Sequence, residues 1–236
     1  MVKLFEQMFE SQRKLNDMIN PNWKEDQHDW NLAITQEVAE MIESIGYKWW
    51  KKIEPDYDNI KVELVDIMHF LISKDMSDEY YNKVIKVKLI EEIAKTSLNI
   101  KPDNKLVFKA KGFAEIAEST IDMHKNLSKH TTNLQTAKGI SSSIYSEDSI
   151  NAIANTIYLW VDIGGTIEDL ARAYLIKNLL NIFRQENGYN MGKYVKHWTD
   201  AEDNVVVFRL AEKIKTEDLY EELPKQMLKI YKENVT

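Results

Sequence analysis

The chain has 236 residues, of which 44% are hydrophobic and 29% charged, as is ordinary for a globular protein. Its net charge of −7 argues against direct nucleic-acid binding, which requires a basic surface, although divalent cations could still join acidic side chains to a polyphosphate. The sequence contains no cysteine, which excludes disulfides and thiolate metal sites, and no apolar run approaches the ~18 residues of a transmembrane helix. We therefore expect a cytoplasmic protein that does not bind membranes.

Helical patterns follow one another along the chain, whereas the alternating pattern of strands is nearly absent. The predicted helices cover residues 3–18, 30–45, 57–74, 77–97, 107–127, 147–163, 166–185, 202–213 and 216–232. Turn residues separate them, among them Pro21 after the first helix and Gly164-Gly165 before the seventh. We predict one all-α domain over residues 1–236, a bundle of roughly 8 to 10 helices. The polar residues 128–146 are predicted to form a mobile surface loop.

Two glutamates lie on the apolar side of the predicted helix 30–45. The apolar stripe of this helix consists of Trp30, Ala33, Ile34, Val38, Met41, Ile42 and Ile45. At about 100° per residue, Glu37 falls inside the stripe and Glu40 at its edge, whereas Glu43 lies on the opposite, solvent side. Because a lone buried charge costs several kcal/mol, Glu37 requires a partner of opposite charge.

The predicted helix 57–74 is apolar on nearly every side, which is typical of a core helix. Glu63 and Asp66, again three residues apart, have no polar face to occupy. Carboxylates that converge between two core helices cannot all stay ionised without cations, and hard oxygen ligands suit Mg²⁺ or Mn²⁺. The alternative is that these acids pair with lysines or form ion pairs on the helix surface. The predicted metal ligands are Glu37, Glu40, Glu63 and Asp66. His69, on the same helix, is predicted to be a core histidine rather than a ligand.

A line of basic and amide side chains runs along the predicted helix 166–185. Lys177, Asn181 and Arg184 are spaced i, i+4 and i+7, so they share one side of the helix. The turn that follows brings Tyr189 and Lys196 within reach. This set of side chains fits a phosphate-binding site, and the alternative is a solvated basic face with salt bridges. The chain has no G-x-x-x-x-G-K-[ST] motif, which excludes a P-loop enzyme.

The acidic and basic segments together identify a family resemblance. Residues 36–40 (QEVAE) and 62–66 (VELVD) resemble the E-x-x-E…E-x-x-D metal signature of the all-α NTP pyrophosphohydrolases, which include the MazG-like enzymes. Residues 177–189 (KNLLNIFRQENGY) resemble, more specifically, the dimeric all-α dUTPases. The match continues at residues 12–17, 194–198 and 202–204. It extends over most of the chain and is weakest near residues 75–145.

The resemblance implies a role for each matching residue. The Mg²⁺ ligands of the family match Glu37, Glu40, Glu63 and Asp66. Of these, Glu40 is expected to orient or deprotonate the attacking water, with Glu37 as the second candidate. The residues that hold the phosphates and the sugar match Lys177, Asn181, Arg184, Tyr189 and Lys196. The uracil-reading end of the first helix matches Gln12 and Asn16, and other residues around the nucleotide match Asn20 and Trp50.

The resemblance also implies the reaction and the partners. Members of this family hydrolyse dUTP to dUMP and pyrophosphate, accept dUDP as well, and thereby keep uracil out of DNA. They use about two or three Mg²⁺ ions, for which Mn²⁺ can substitute, and act as homodimers that close around the nucleotide. We expect the same of this chain, with Lys and Arg side chains stabilising the charge of the leaving group.

The residues alone leave other functions open. A pyrophosphohydrolase for a different nucleotide would share the metal site and differ in the base pocket. A di-iron carboxylate oxidoreductase needs Glu-x-x-His pairs on core helices, and the chain offers only Asp66-x-x-His69 and, in a polar turn, Glu25-x-x-His28. A noncatalytic scaffold that binds a partner through residues 128–146 would have no use for Glu63 and Asp66 inside an apolar helix.

Overall fold

The computed structural model describes residues 2–26, 28–46, 48, 50–52, 54–77 and 152–235, apart from 154, 155, 158 and 162. The helices predicted at 77–97 and 107–127 and the loop predicted at 128–146 lie outside the described residues. The predicted all-α fold is confirmed over the described residues, because helices make up most of them.

Six helices with complete bounds frame the described part of the chain. They are α1 (Val2–Ile19), α2 (Trp30–Ile45), α3 (Tyr57–Met76), α4 (Ile167–Glu186), α5 (Asp203–Ala211) and α6 (Leu219–Val235). Residues 152–161, where described, are also helical. One feature was not predicted: the two-residue strands β1 (His197–Trp198) and β2 (Ala201–Glu202) pair antiparallel just before α5. Strands of this length are too short to produce a recognisable alternation in the sequence.

Side chains that satisfy free backbone groups fix where α2, α3 and α4 begin. The Asp29 carboxylate accepts the backbone N–H of Leu32 at the start of α2, and the Asp56 carboxylate does the same for Asn59 at the start of α3. Thr166 and Asp169 form a reciprocal capping box at the start of α4. These caps determine the register in which each helix presents its polar residues.

The break at Gly164-Gly165 has a steric cause as well as a conformational one. Gly164 has φ = 90°, a conformation that residues with a side chain rarely adopt. A Cβ on Gly165 would lie 2.1 Å from the indole Nε1 of Trp160, which donates a hydrogen bond to the carbonyl of Thr166. The chain therefore passes closely over this ring before α4 begins.

The helices pack so that α3 and α4 lie in the middle of the described core. α2 packs along α3, while α4 contacts α1, α3, α5 and α6. Ile34 and Met41 of α2 and Leu64 and Leu71 of α3 are fully buried. Among the described helices, none has the length and hydropathy that crossing a membrane requires.

Candidate active site

A cleft of about 870 Å³ opens where α1, α2, α3 and α4 come together. All four helices contribute side chains to its walls, and so does the segment between α4 and α5. The walls divide into three regions: a carboxylate cluster between α2 and α3, a cationic wall on α4, and a buried amide network between α1, α3 and α4. The predicted site residues are distributed over these regions.

The carboxylate cluster joins three of the four predicted metal ligands. Glu37, Glu63 and Asp66 each offer an oxygen within 4.8 Å of the others. Glu63 is buried, and the other two are half-buried. Glu40 lies one turn further along α2 at the exposed rim of the cleft, where it accepts a hydrogen bond of 3.1 Å from Gln36 Nε2. The structure thus places Glu40 beside the cluster and the other three inside it.

Burial, together with repulsion within the cluster, raises the pKa values of its glutamates. Burial, followed by the charges of Asp66 and Glu40, raises the pKa of Glu37 to about 8. Burial and the charge of Asp66 also raise the pKa of Glu63 to about 7, against the opposing effect of Lys177. At neutral pH the glutamates therefore share a proton unless a cation neutralises them. The donor set consists of carboxylate oxygens, which fits a hard divalent cation such as Mg²⁺ or Mn²⁺.

The two cations of the cationic wall on α4 are buried, unlike the solvated basic face that the sequence left open as an alternative. Lys177 is 3% exposed and Arg184 is 9% exposed, so the face is not a solvated one. Lys177 Nζ lies 2.8 Å from Asp66 Oδ2 and donates to Asn204 Oδ1 at 3.0 Å. Lys177 therefore connects the cationic wall directly to the carboxylate cluster.

The other predicted phosphate-binding residues surround the mouth of the cleft. Arg184 donates to Asn181 Oδ1 at 3.2 Å. The Arg184 guanidinium carbon lies 5.9 Å, and the Lys196 ammonium 5.5 Å, from the centre of the Tyr189 ring. Tyr189 is 40% exposed and lines the cleft together with the other four residues of this set. The structure brings all five predicted residues together.

The buried end of the cleft contains a network of amide and hydroxyl groups. Gln12 Nε2 donates to Asn16 Oδ1 and to Ser73 Oγ, both at 3.0 Å. Gln12 Oε1 accepts from the Tyr174 hydroxyl at 2.9 Å and from Asn178 Nδ2 at 3.3 Å. The sequence predicted Gln12 and Asn16 here but missed the other three. Their one signal in the sequence is a polar residue at a position where the helix is otherwise apolar.

His69 lies beside this network and is a core histidine, as predicted. It is 4% exposed, its Nδ1 bonds the carbonyl of Val65 at 2.7 Å, and its ring stacks on Tyr174 with centroids 3.9 Å apart. Burial lowers the pKa of His69 to about 4. The ring is therefore neutral at physiological pH, with its proton on Nδ1.

The two remaining predicted nucleotide contacts behave differently from each other. Asn20 lines the cleft, where its Nδ2 donates to Asp26 at 2.6 Å and its Oδ1 accepts the backbone N–H of Asn22. Trp50 is 61% exposed and is not among the described residues that line the cleft. The aromatic side chains that do line it are Trp23, Trp30, Phe70 and Tyr189. The nucleotide contact expected from Trp50 therefore stays a prediction, for a residue outside the described walls of the cleft.

The fold and the cleft define a helical hydrolase that combines clustered carboxylates with buried cations, and comparison with known families agrees. A family model described as dUTPase matches residues 4–189, which is most of the chain. The chain therefore belongs to the dUTPase family and is a dUTP diphosphatase with an all-α fold. The comparison with curated proteins found no match.

Proposed function

We propose that this enzyme hydrolyses dUTP to dUMP and pyrophosphate, and dUDP to dUMP and phosphate, with Mg²⁺ bound in the carboxylate cluster. One observation carries the proposal: Glu37, Glu63 and Asp66 lie within 4.8 Å of one another in the same cleft as the buried Lys177. Such a cluster is unfavourable without cations, whereas a polyphosphate needs cations on both sides. The cleft satisfies both needs at once.

The metal would be held by all four carboxylates that the sequence singled out. Glu37, Glu63 and Asp66 would bind directly, and Glu40 at the rim would complete the site around about two or three ions. Bound Mg²⁺, or Mn²⁺ in its place, supplies charge that neutralises the phosphates and lowers the pKa of a bound water. We assign to Glu40 the role of holding and accepting the proton of the attacking water, because it is the exposed carboxylate of the set.

The cationic wall would receive the phosphates. Lys177 and Arg184 are buried and aligned on one side of α4, and Lys196 approaches from the segment before β1. Buried cations act in a low dielectric, so they stabilise the charge that develops on the leaving group more strongly than solvated cations could. Asn181 and Tyr189, between these cations, would bind the sugar or the phosphates.

The amide network would hold the base. Uracil presents two carbonyl acceptors and one N–H donor, and a side-chain amide can match such an edge with paired hydrogen bonds. Gln12 is held by four partners within the network, so its orientation is fixed before the nucleotide arrives. Uracil binding then has to exchange one of these hydrogen bonds, and the hydroxyl of Ser73 is a partner that can rotate away.

Two further properties belong to the proposal because of the resemblance to dimeric dUTPases. We expect a homodimer, which light scattering of the purified protein would establish. We also expect no direct binding of nucleic acid, in agreement with the net charge of −7.

The decisive experiment is a hydrolysis panel over the four standard dNTPs, dUTP and dUDP, with and without Mg²⁺. Phosphate is measured with and without added pyrophosphatase, because only that comparison separates the release of pyrophosphate from the release of phosphate. Release of pyrophosphate from dUTP alone, dependent on Mg²⁺, is the expected result. Equal turnover of another dNTP would favour the alternative base specificity. Iron analysis of the purified protein tests the di-iron alternative. The described carboxylate cluster contains no histidine, whereas a di-iron site of this kind requires histidine ligands.

A further inference from the structure

We propose that Asp203 is a positioning residue for hydrolysis: its carboxylate fixes the guanidinium of Arg184, and its backbone fixes Lys196, so that both cations face the substrate phosphates. The inference rests on the proposed assignment of Arg184 and Lys196 to the phosphates. Asp203 itself is not among the described residues that line the cleft, so it acts through its neighbours.

Both carboxylate oxygens of Asp203 have two hydrogen-bond donors each. Asp203 is 0% exposed. Its Oδ2 accepts from Arg184 Nε and from the Tyr194 hydroxyl, each at 2.8 Å. Its Oδ1 accepts from Arg184 Nη2 and from the backbone N–H of Asn204, again at 2.8 Å. The pairing with Arg184 is bidentate, a geometry that fixes the plane of the guanidinium as well as its position.

The buried carboxyl of Asp203 carries a negative charge opposite the Arg184 guanidinium. Burial opposes ionisation of Asp203, but the hydrogen bonds from Arg184 and Tyr194 outweigh it and lower the pKa of the carboxyl. A buried ion pair contributes little net stability compared with an apolar pair of the same shape. An arginine that only had to attract phosphate could lie at the surface without this cost. The buried pair is therefore best explained by the orientation that it imposes on Arg184, which still lines the cleft.

Asp203 also connects the separate segments that carry the two cations. Its backbone N–H donates to the carbonyl of Lys196 at 2.7 Å. Tyr194, which donates to its carboxylate, stacks on Tyr231 of α6 with ring centroids 5.2 Å apart. One residue thus joins α4, the segment before β1 and, through Tyr194, α6.

The test uses Asp203→Asn, which keeps the shape but replaces a carboxylate oxygen by an NH₂ group that faces the Arg184 donors. We expect kcat/KM for dUTP to fall about 10²-fold, since misplacement of a binding group by an ångström can cost that much. Mn²⁺ affinity, measured by electron paramagnetic resonance, is expected to stay unchanged because Asp203 lies outside the carboxylate cluster. The matched control is Asp200→Asn, an aspartate in the turn between β1 and β2 that is exposed, as is its partner Arg209. It should retain wild-type kinetics.

A double-mutant cycle with Arg184→Gln separates positioning from a merely structural role. If Asp203 acts through Arg184, Asp203→Asn has little further effect on kcat/KM once Arg184 is already glutamine. If Asp203→Asn lowers kcat/KM equally in the wild-type and Arg184→Gln backgrounds, the role of Asp203 is overturned and the phosphate assignment stands. The same holds if Asp203→Asn has wild-type kinetics while Arg184→Gln is impaired. Unchanged kinetics of Arg184→Gln would overturn the phosphate assignment and the inference with it.

If circular dichroism shows that Asp203→Asn does not fold, Tyr194→Phe replaces it in the same cycle. Then a loss of about threefold or more that disappears with Arg184→Gln supports the inference, and unchanged kinetics overturns it.

Discussion

Replacing Glu63 by glutamine is expected to abolish hydrolysis and at the same time to stabilise the metal-free protein. In the folded protein, burial and the charge of Asp66 raise the pKa of Glu63 to about 7, and the pKa of Glu37 is raised to about 8. Both carboxyls ionise near pH 4.5 when unperturbed. Between these values the folded protein binds more protons than the unfolded chain, so its free energy of unfolding falls as pH rises.

The size of this effect follows from the number of protons. One proton that the folded cluster holds and the unfolded chain lacks gives a slope of about −1.4 kcal/mol per pH unit. Solvent screening of the half-buried Glu37 makes this slope shallower. Between pH 6.5 and 8 we therefore expect the free energy of unfolding to fall by about 1 to 2 kcal/mol, which corresponds to about 3 to 6 °C in Tm. His69 acts in the opposite sense: because burial lowers its pKa to about 4, stability is lost as pH falls below 6.5. Between about pH 4.5 and 6.5 the effects of His69 and of the two glutamates oppose each other, so we expect the decline in stability with rising pH to be steepest above pH 6.5.

Thermal unfolding in EDTA across pH 6 to 8.5 measures this profile. Glu63→Gln is expected to reduce the decline above pH 6.5, to raise Tm at pH 8, and to lose most of the rise in Tm that Mg²⁺ gives the wild type. Glu43→Gln is the matched control, since Glu43 lies on α2 with a side chain 57% exposed and paired with Lys48. An undiminished decline in Glu63→Gln, or near-wild-type turnover at saturating Mg²⁺, would refute the assignment of this cluster.

Two further predictions concern catalysis and specificity. Glu40→Gln is expected to lower kcat by about 10²-fold or more with little change in KM, because glutamine keeps the shape of the side chain but removes the proposed proton acceptor. A change confined to KM would contradict that role, and Glu43→Gln again serves as control. The wild type is expected to prefer dUTP over dCTP by about 10²–10⁴ in kcat/KM, because cytosine presents a donor where uracil presents an acceptor. Gln12→Ala is expected to lower kcat/KM for dUTP and to narrow this preference. Mn²⁺ affinity should be unchanged in Gln12→Ala, and an unaltered preference would exclude Gln12 from reading the base.

The sequence predicted best those features that depend on periodicity within one helix. Glu37 and Glu63 could be placed in the interior because each interrupts an apolar pattern of fixed period. The same reasoning placed Glu40 at the edge of its stripe, and it is exposed in the structure. The boundaries of α2 agree with the prediction because Asp29 and Gly46 are local capping signals.

Features that depend on partners distant in the chain could not be predicted in this way. Lys177 and Arg184 were compatible with a solvated face until the structure showed Asp66 and Asp203 beside them. Likewise, Tyr174 and Asn178 acquire their role only by meeting Gln12 of α1. Trp50 stays a prediction, since position relative to a motif does not establish which way an exposed residue such as this one faces.

The two buried cations of α4 differ in where their acidic partners lie, and this difference leads to the last prediction. Asp203 is not among the described residues that line the cleft, so we expect Arg184 to keep its partner when substrate binds. Asp66 lines the cleft and belongs to the proposed metal site, so Lys177, at 2.8 Å from Asp66, competes with a divalent ion for the same carboxylate. Metal binding should weaken this ion pair and leave Lys177 available to a phosphate.

Lys177→Gln is therefore expected to tighten Mn²⁺ binding to the nucleotide-free enzyme, because both the competing ion pair and a repelling charge are removed. The same variant is expected to lower kcat/KM for dUTP, because the proposed phosphate contact is lost. Arg184→Gln, its matched control on the same face of α4, should leave Mn²⁺ affinity unchanged. Weaker Mn²⁺ binding in Lys177→Gln would show that Lys177 supports the metal site rather than competing with it.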